Sequence, residues 1–468
     1  MPEPHFEPHF EPRPGKNLLS PSMPTLAPIE SLPDYTRLGL PTERDGLEQF
    51  DHLQAYRRLG PIYQLRFRDE RHVVIAGMEA NEAAWRNPDQ WSYHDALVPF
   101  REIMGPTHVT QLDGDPHRRK RRNLRPGFAM SAVARHLPVI DSVLREALAE
   151  SCGQAVGLHE FFMTALTRAN SRTVLHCELK AEALAHFIAF EEEFISGTIL
   201  GEARHAHYAR PEFVAHREYV FGFLRELVSR RLAGEVRSDS FQDMLQDRRE
   251  RGEPLDPDEL IPEAYLLLMA GTGNTAKMLN CGLQHLLANP DWLRQLEEEL
   301  AGYRVEHLFA GMGAFPRLKA TLMEMERMFP AAPVLSRVVE EPFEFAGFEL
   351  PRGTRVLHLQ TLPHFLEEVY ASPYRFDPSR WMDREYPKKA HGTFGGSTHI
   401  CLGMNLVRIQ SPVAVANLLR DYRVDLGGEP EIVVNLNYGV PQAAHLTARW
   451  SRRNLTTPLA APVPVAQT

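Results

Sequence analysis

Phe394-Gly395-Gly396-Ser397-Thr398-His399-Ile400-Cys401-Leu402-Gly403 runs directly into a helix-like stretch, Met404–Leu419. Glycines crowd one side of a lone cysteine, and the helix begins just after it. A backbone able to turn tightly holds the cysteine where helix N-terminal N–H groups approach its sulfur. Those amides and the positive end of the helix dipole favour the thiolate. A thiolate so placed serves as a nucleophile or as a metal ligand. The same pattern also suits a buried cysteine that packs as a small apolar side chain. The segment alone leaves these readings open.

The surrounding chain has an ordinary soluble composition. Of its 468 residues, 43% are hydrophobic and 24% charged, ample material for a large core. Its 52 basic and 61 acidic residues leave a net charge of −9. That balance argues against a global nucleic-acid binder, which needs clustered Lys and Arg on one face. No run of about 18–20 apolar residues offers a membrane span, and no signal-peptide core opens the chain. A soluble, cytoplasmic protein is expected. Cys152, Cys177, Cys281 and Cys401 lie far apart, so neither a disulfide scaffold nor a structural zinc site is expected.

Residues 1–30 read as a disordered Pro-rich tail, where His5-Phe6-Glu7-Pro8 is repeated as His9-Phe10-Glu11-Pro12. Residues 31–456 read as one large domain, and 457–468 as a flexible Pro- and Ala-rich end. Helical signals dominate the domain, over Ala132–Leu148, Ala181–Ile199, Glu212–Leu232, Ile261–Leu287 and Leu318–Met328. Two hairpins are expected. One joins Pro61–Phe67 to His72–Gly77, and the other joins Phe343–Phe348 to Thr354–Leu359 around Pro351-Arg352-Gly353.

Two further motifs lie upstream of Cys401. Glu324-Met325-Glu326-Arg327 puts Glu324 and Arg327 at i,i+3 on one helix face, and Pro373-Tyr374-Arg375-Phe376 follows it. In this order and spacing the three segments resemble the cytochrome P450 family, and the resemblance runs from about residue 35 to 450. It implies the P450 fold, mainly helical with a small β region, and a haem b held by Cys401 as axial thiolate. Phe394, His399, Cys401 and Gly403 match the signature Phe-x-x-Gly-x-(Arg/His)-x-Cys-x-Gly, while Ser397 stands where the family has glycine. By the same resemblance Phe394 packs beside the sulfur and His399 reaches a haem propionate. Glu324, Arg327 and Arg375 then form the ion cluster that fixes the cysteine loop, with Glu326 solvated. Asp115-Pro116-His117-Arg118-Arg119-Lys120-Arg121 is similar to the family's His-x-x-x-Arg helix, which aims His117 and Arg121 at the second propionate. Arg337 matches a third propionate cation. Arg118, Arg119, Lys120 and Arg122 read as a basic surface run, or as a docking surface for an acidic electron-transfer partner.

Ala270-Gly271-Thr272-Gly273-Asn274-Thr275 departs from the family's (Ala/Gly)-Gly-x-(Asp/Glu)-Thr. Ala270 and Gly271 match, leaving room for O2 and for a distorted helix. Gly273 replaces the acid and Asn274 the alcohol of the pair that delivers protons in the family. Asn274 donates a hydrogen bond but has no proton to release near pH 7. Thr272, Thr275 or a water held by Asn274 are the substitutes on offer.

Thiolate ligation favours O–O cleavage, so the activity implied is insertion of one oxygen atom from O2 into a lipophilic small molecule. No Gly-x-Gly-x-x-Gly fingerprint follows a strand, which assigns electron supply to a ferredoxin-type partner and its reductase. Two alternatives remain: a peroxide-driven or redox-neutral haem-thiolate enzyme, and a non-catalytic haem-binding partner. Val98, Phe100, Met104, Leu266, Met269, Val334, Leu335, Tyr438 and Val440 are expected to wall the substrate pocket, although each also suits ordinary core.

Overall fold

The computed structural model describes residues 26–44, 47–428, 436–437 and 447–453. Tyr438, Val440, residues 1–25 and the 457–468 end lie outside the described residues. Strands Ile62–Phe67 and Glu70–Ala76 form the first expected hairpin. Arg68 and Asp69 both take positive φ, as two-residue hairpin turns that match strand twist require.

The second hairpin is wired differently. Phe343–Phe345 pairs with Phe348–Leu350, closed by Ala346 and Gly347 at positive φ. Arg355–Leu359 runs parallel to Glu70–Ala76 on one edge and antiparallel to Leu335–Val339 on the other. The physical reason is burial: Val356 to Leu359 are covered on both faces, so this strand needs a neighbour on each side. The small hairpin is an excursion, after which Gly353 N–H donates to Val339 O and rejoins the sheet. Trp91–Ser92 completes the five strands. Ala27 bridges Phe348, so the folded chain begins ahead of the expected boundary at 31.

Helices make up most of the remainder. Ala181–Thr198, Pro211–Leu232 and Pro316–Met328 fall where expected. The stretch expected over Ala132–Leu148 divides at His136, with Pro138 in the first turn of Leu137–Glu150. The long Ile261–Leu287 stretch is broken into Pro257–Met269 and Thr272–Leu287, and the break falls at Ala270-Gly271. Helix Leu158–Val174 lies along Thr272–Leu287, and their side chains share one apolar core with the helix Met404–Asp421. Among the described residues no helix is long and apolar enough to cross a membrane.

The Pro316–Met328 helix carries the main ionic cluster. Glu324 and Arg327 are both fully buried. Arg327 Nε and Nη2 donate to the two Glu324 oxygens, each at 2.8 Å. The third member is not the expected Arg375. Arg375 is exposed and offers only its backbone carbonyl, which accepts from Arg327 and Arg380. Arg380 takes the place, with Nε 3.1 Å from Glu324 Oε1 and its side chain 5% exposed. Trp381 Nε1 and Asp377 N–H also donate to Glu324, both at 2.9 Å. Pro378-Ser379-Arg380-Trp381 repeats the pattern Pro-x-Arg-aromatic five residues downstream of the first. That repeat is the signal by which the sequence carries the correct arginine.

Removing one member of a buried charge set strands its partner at a cost of about 3–5 kcal/mol. Arg380→Ala should therefore lose about that much in denaturant unfolding, whereas Arg375→Ala should stay within about 0.5 kcal/mol of the parent. The reverse order would restore Arg375 to the cluster.

Candidate active site

The Cys401 loop is gripped from the Pro316–Met328 side. Gly392 N–H donates to His364 Nε2 at 2.9 Å, so the His364 proton sits on Nδ1, 2.7 Å from Arg327 O. Thr393 Oγ1 donates to Glu326 O at 2.7 Å. Cys401 N–H then donates to Phe394 O at 2.9 Å and closes the loop. Gly396 lies flat against the Trp85 indole, and a Cβ there would stand 2.3 Å from it. Ser397 occupies φ +58°, a left-handed conformation in which glycine alone is unstrained. Its strain accounts physically for a glycine at this place in the resembled signature. The guanidinium of Arg408 lies 5.9 Å from the Phe394 ring centroid.

Cys401 is exposed to a water-sized probe, yet burial is the largest influence on its thiol and pushes it up. Gly403 and Met404 amides and the Arg121 charge pull the other way. An exposed residue with so dense a surround fits a sulfur that faces an interior hollow rather than bulk water. Helix-end amides approach it as expected, but in the protein alone they do not outweigh burial. Ala270 and Asn274, one turn apart, are likewise exposed, while Met269, Thr272, Gly273 and Thr275 are buried. Gly271 faces Leu406, on the first turns of the helix that follows Cys401.

Two arginines and two histidines gather here with no acid beside them among the described residues. The His399 ring stacks between Tyr93 and His117, with centroids 3.6 and 3.7 Å away. Arg337 Nε donates to Tyr93 Oη at 3.1 Å, and its Nη1 lies 2.6 Å from His358 Nδ1. Burial, then the charges of Arg121 and Arg118, lower His117 to about 4. Burial, then His117, Arg337 and Arg121, lower His399 to about 2. Among the described residues no carboxylate pairs with His117, Arg121, Arg337 or His399. Buried donors of one sign suit a ligand that brings two negative groups of its own. These donors without an acid fit the propionates of the haem that the resemblance implies, with Cys401 as its thiolate ligand. Tyr93 and His358, which orient this set, were not legible in the sequence because no local motif marks them.

The basic run differs from expectation. Lys120 is buried, with Nζ 2.7 Å from Glu263 and 2.9 Å from Glu259. Arg118 pairs with Asp115 and Asp89, and Arg122 with Glu253. Acids from the neighbouring segments neutralise most of the charge proposed for docking. Glu326 is also not solvated. It is 8% exposed, and burial pushes it up to about 7 against the opposing charge of Arg408.

Of the expected pocket residues, Phe100, Met104, Leu266 and Met269 join one apolar cluster, which Leu402 also touches. Val98 and Leu335 are half-buried. Val334 packs instead in the sheet-side core with Tyr63, Leu357 and Phe365. Thr272 Oγ1 is tied to Leu268 O and to Asn170, so it is not free to relay protons. Thr275 Oγ1 is buried without a partner. Asn274, exposed at the hollow, donates weakly to Ala270 O at 3.5 Å.

Comparison with known proteins agrees with this architecture. The cytochrome P450 family model matches residues 38–443. The sterol 14α-demethylase of Mycolicibacterium vanbaalenii is 23% identical, over 85% of this chain and 94% of that protein. Cytochrome P450 26B1 of Mus musculus is 24% identical, over 70% of this chain and 67% of its own length. The solved structure of retinoic acid bound cyanobacterial CYP120A1 superposes with a TM-score of 0.76 at 20% identity, covering 90% of this chain and 99% of that one.

Two substitutions test the loop and its support. Ser397→Gly should relieve the left-handed strain and raise stability by about 1 kcal/mol. An unchanged melting point would remove strain as the explanation. Glu326→Gln should act through pH. A carboxyl held near 7 contributes stability that is complete below its unfolded value of 4.5 and is lost as pH rises through 7. The variant should gain up to about 3 kcal/mol at pH 8 and almost nothing at pH 4.5. Equal effects at both pH values would refute the buried-acid account.

Proposed function

The chain belongs to the cytochrome P450 family, and we propose that it works as a haem-thiolate monooxygenase. The reaction inserts one oxygen atom from O2 into a lipophilic small molecule. The observation that carries this reading is the Cys401 thiol beside two arginines, Arg121 and Arg337, and two neutral histidines, none of them paired with a carboxylate among the described residues. Cys401 would hold haem b through its thiolate, and His117, Arg121, Arg337 and His399 would receive its propionates. Bound there, the haem supplies O2 activation, with the thiolate favouring O–O cleavage.

The remaining work falls to the chain. Leu266 and Phe100, half-buried at the edge of one apolar cluster, exclude water and hold an apolar substrate, with Met104 and Met269 packed behind them. The helix break at Ala270-Gly271 leaves space over the hollow, and Asn274 presents a hydrogen-bond donor into it. Relatives named for sterols, and a solved relative that binds retinoic acid, support a lipophilic, isoprenoid-like substrate class. Electrons come from a separate ferredoxin-type protein and reductase, in the cytoplasm. The second reading, peroxide-driven or redox-neutral chemistry, is favoured by one observation, the Gly273-Asn274 replacement of the acid–alcohol pair.

Reduced protein under carbon monoxide should show the red-shifted Soret band of thiolate ligation, and Cys401→Ala should abolish it. Turnover should then be compared with NAD(P)H and redox partners, with hydrogen peroxide alone, and with neither. Coupled product carrying label from 18O2 in the first regime is the expected result. Product in the third regime would sink the monooxygenase reading.

A further inference from the structure

The place left by the missing acid is not empty of acids. Glu191 belongs to the helix Ala181–Thr198, far from residue 273 in sequence. A Cβ added at Gly273 would stand 3.9 Å from Glu191 Cγ, 3.9 Å from Glu191 Oε1 and 3.7 Å from Met163 Sδ. The carboxyl therefore lies against the one backbone position where the resembled motif carries Asp or Glu. Tyr265 Oη donates to Glu191 Oε2 at 2.5 Å. With Oε2 occupied, a proton on the neutral acid sits on Oε1, the oxygen beside Gly273. Among the described residues nothing hydrogen-bonds to Oε1.

We propose that Glu191 is the proton-relay acid of this enzyme, supplied from a neighbouring helix to the gap left by Gly273. The assignment rests on the monooxygenase reading. Asn274, next to Gly273 and open to the hollow, holds the water through which the Oε1 proton travels to the reaction site. One proton leaves Glu191 in each transfer, and one returns from solvent, so the residue ends as it began.

The returning proton is assigned to the side of Lys277 and Glu192. Lys277 lies one turn beyond Gly273 and interacts electrostatically with both Glu191 and Glu192. Glu192, 44% exposed in its side chain, is 2.9 Å from His159 Nε2. The titratable groups facing Glu191 are thus Tyr265 and Lys277 across the helix interface and Glu192 beside it. Burial is the largest influence on Glu191 and pushes it up to about 7, with Tyr265 and Lys277 opposing. An acid balanced there can both give and recover a proton near neutral pH.

The test begins without turnover. In holoenzyme free of substrate and carrying Glu326→Gln, which removes the other buried carboxyl held near 7, infrared difference spectra across pH 5–9 should show a protonated-carboxyl band that titrates near 7 and is lost when Glu191→Gln is added. Adding Gly273→Asp to the same Glu326→Gln protein places a second acid beside the first, so the titration should move up by about one unit or more. With redox partners and O2, Glu191→Gln should cut coupled product formation about 100-fold and divert electrons to peroxide. Glu191→Gln with Gly273→Asp returns an acid to the gap and should recover most of the coupling, which a merely structural defect would not allow. A band indifferent to Glu191→Gln, full coupling in that variant, or no recovery in the double variant each overturns the relay. A wild type that makes product from peroxide but never from O2 overturns the monooxygenase reading and the relay together. In that case the infrared band separately reports whether the two positions are adjacent.

Discussion

Everything around the cysteine hangs on the Glu324 carboxylate, a charge with no access to water. Five donors converge on its two oxygens, from Arg327, Arg380, Trp381 and the Asp377 backbone. An isolated carboxylate cannot remain ionised in such surroundings, so the donors and their segments must assemble together. Arg327 then extends the network through the backbone of His364, whose ring accepts from Gly392. A helix, the stretch from Asp377 to Trp381 and the start of the cysteine loop are thereby fixed by one electrostatic requirement. The geometry of Cys401 is set a long way from Cys401.

The site itself is organised on the opposite rule. Where Glu324 is oversupplied with partners, His117, His399, Arg121 and Arg337 have no carboxylate partner among the described residues. Burial first, and the neighbouring positive charges second, disfavour charging, which is why both histidines are driven strongly toward the neutral form. Such local conflict is typical of functional regions, where a ligand completes the interactions that the chain leaves open. The break at Ala270-Gly271 fits the same description. A glycine inside a helix costs about 1 kcal/mol relative to alanine, and Gly271 stands at the interruption itself, between Met269 and Thr272.

Two charged groups stand on residues other than those that local motifs suggest. The acid absent at Gly273 is matched by Glu191 on a different helix, and the arginine expected at 375 is delivered by Arg380. Both cases concern where a charged head stands, not which residue bears it. Side chains reaching from different backbones can satisfy one electrostatic requirement, provided the packing leaves the volume open, as the absent side chain of Gly273 does.

The sequence by itself determined the family, the mainly helical class, the first hairpin, the Glu324–Arg327 pair and the cysteine loop with its following helix. Those features are local: i,i+3 spacing, turn residues and a contiguous motif survive without knowledge of the rest of the chain. Tertiary structure alone decided that Arg355–Leu359 joins two other strands, because its doubly buried face needs neighbours on both edges. It decided too that Glu326 and Lys120 are interior, since an acid or a lysine in a charged run reads as solvated until the packing partners are known. The same holds for Glu191, whose nearness to Gly273 is a contact between two helices and has no counterpart in spacing along the chain. Burial and long-range electrostatics are properties of the assembled volume, and no linear pattern contains them.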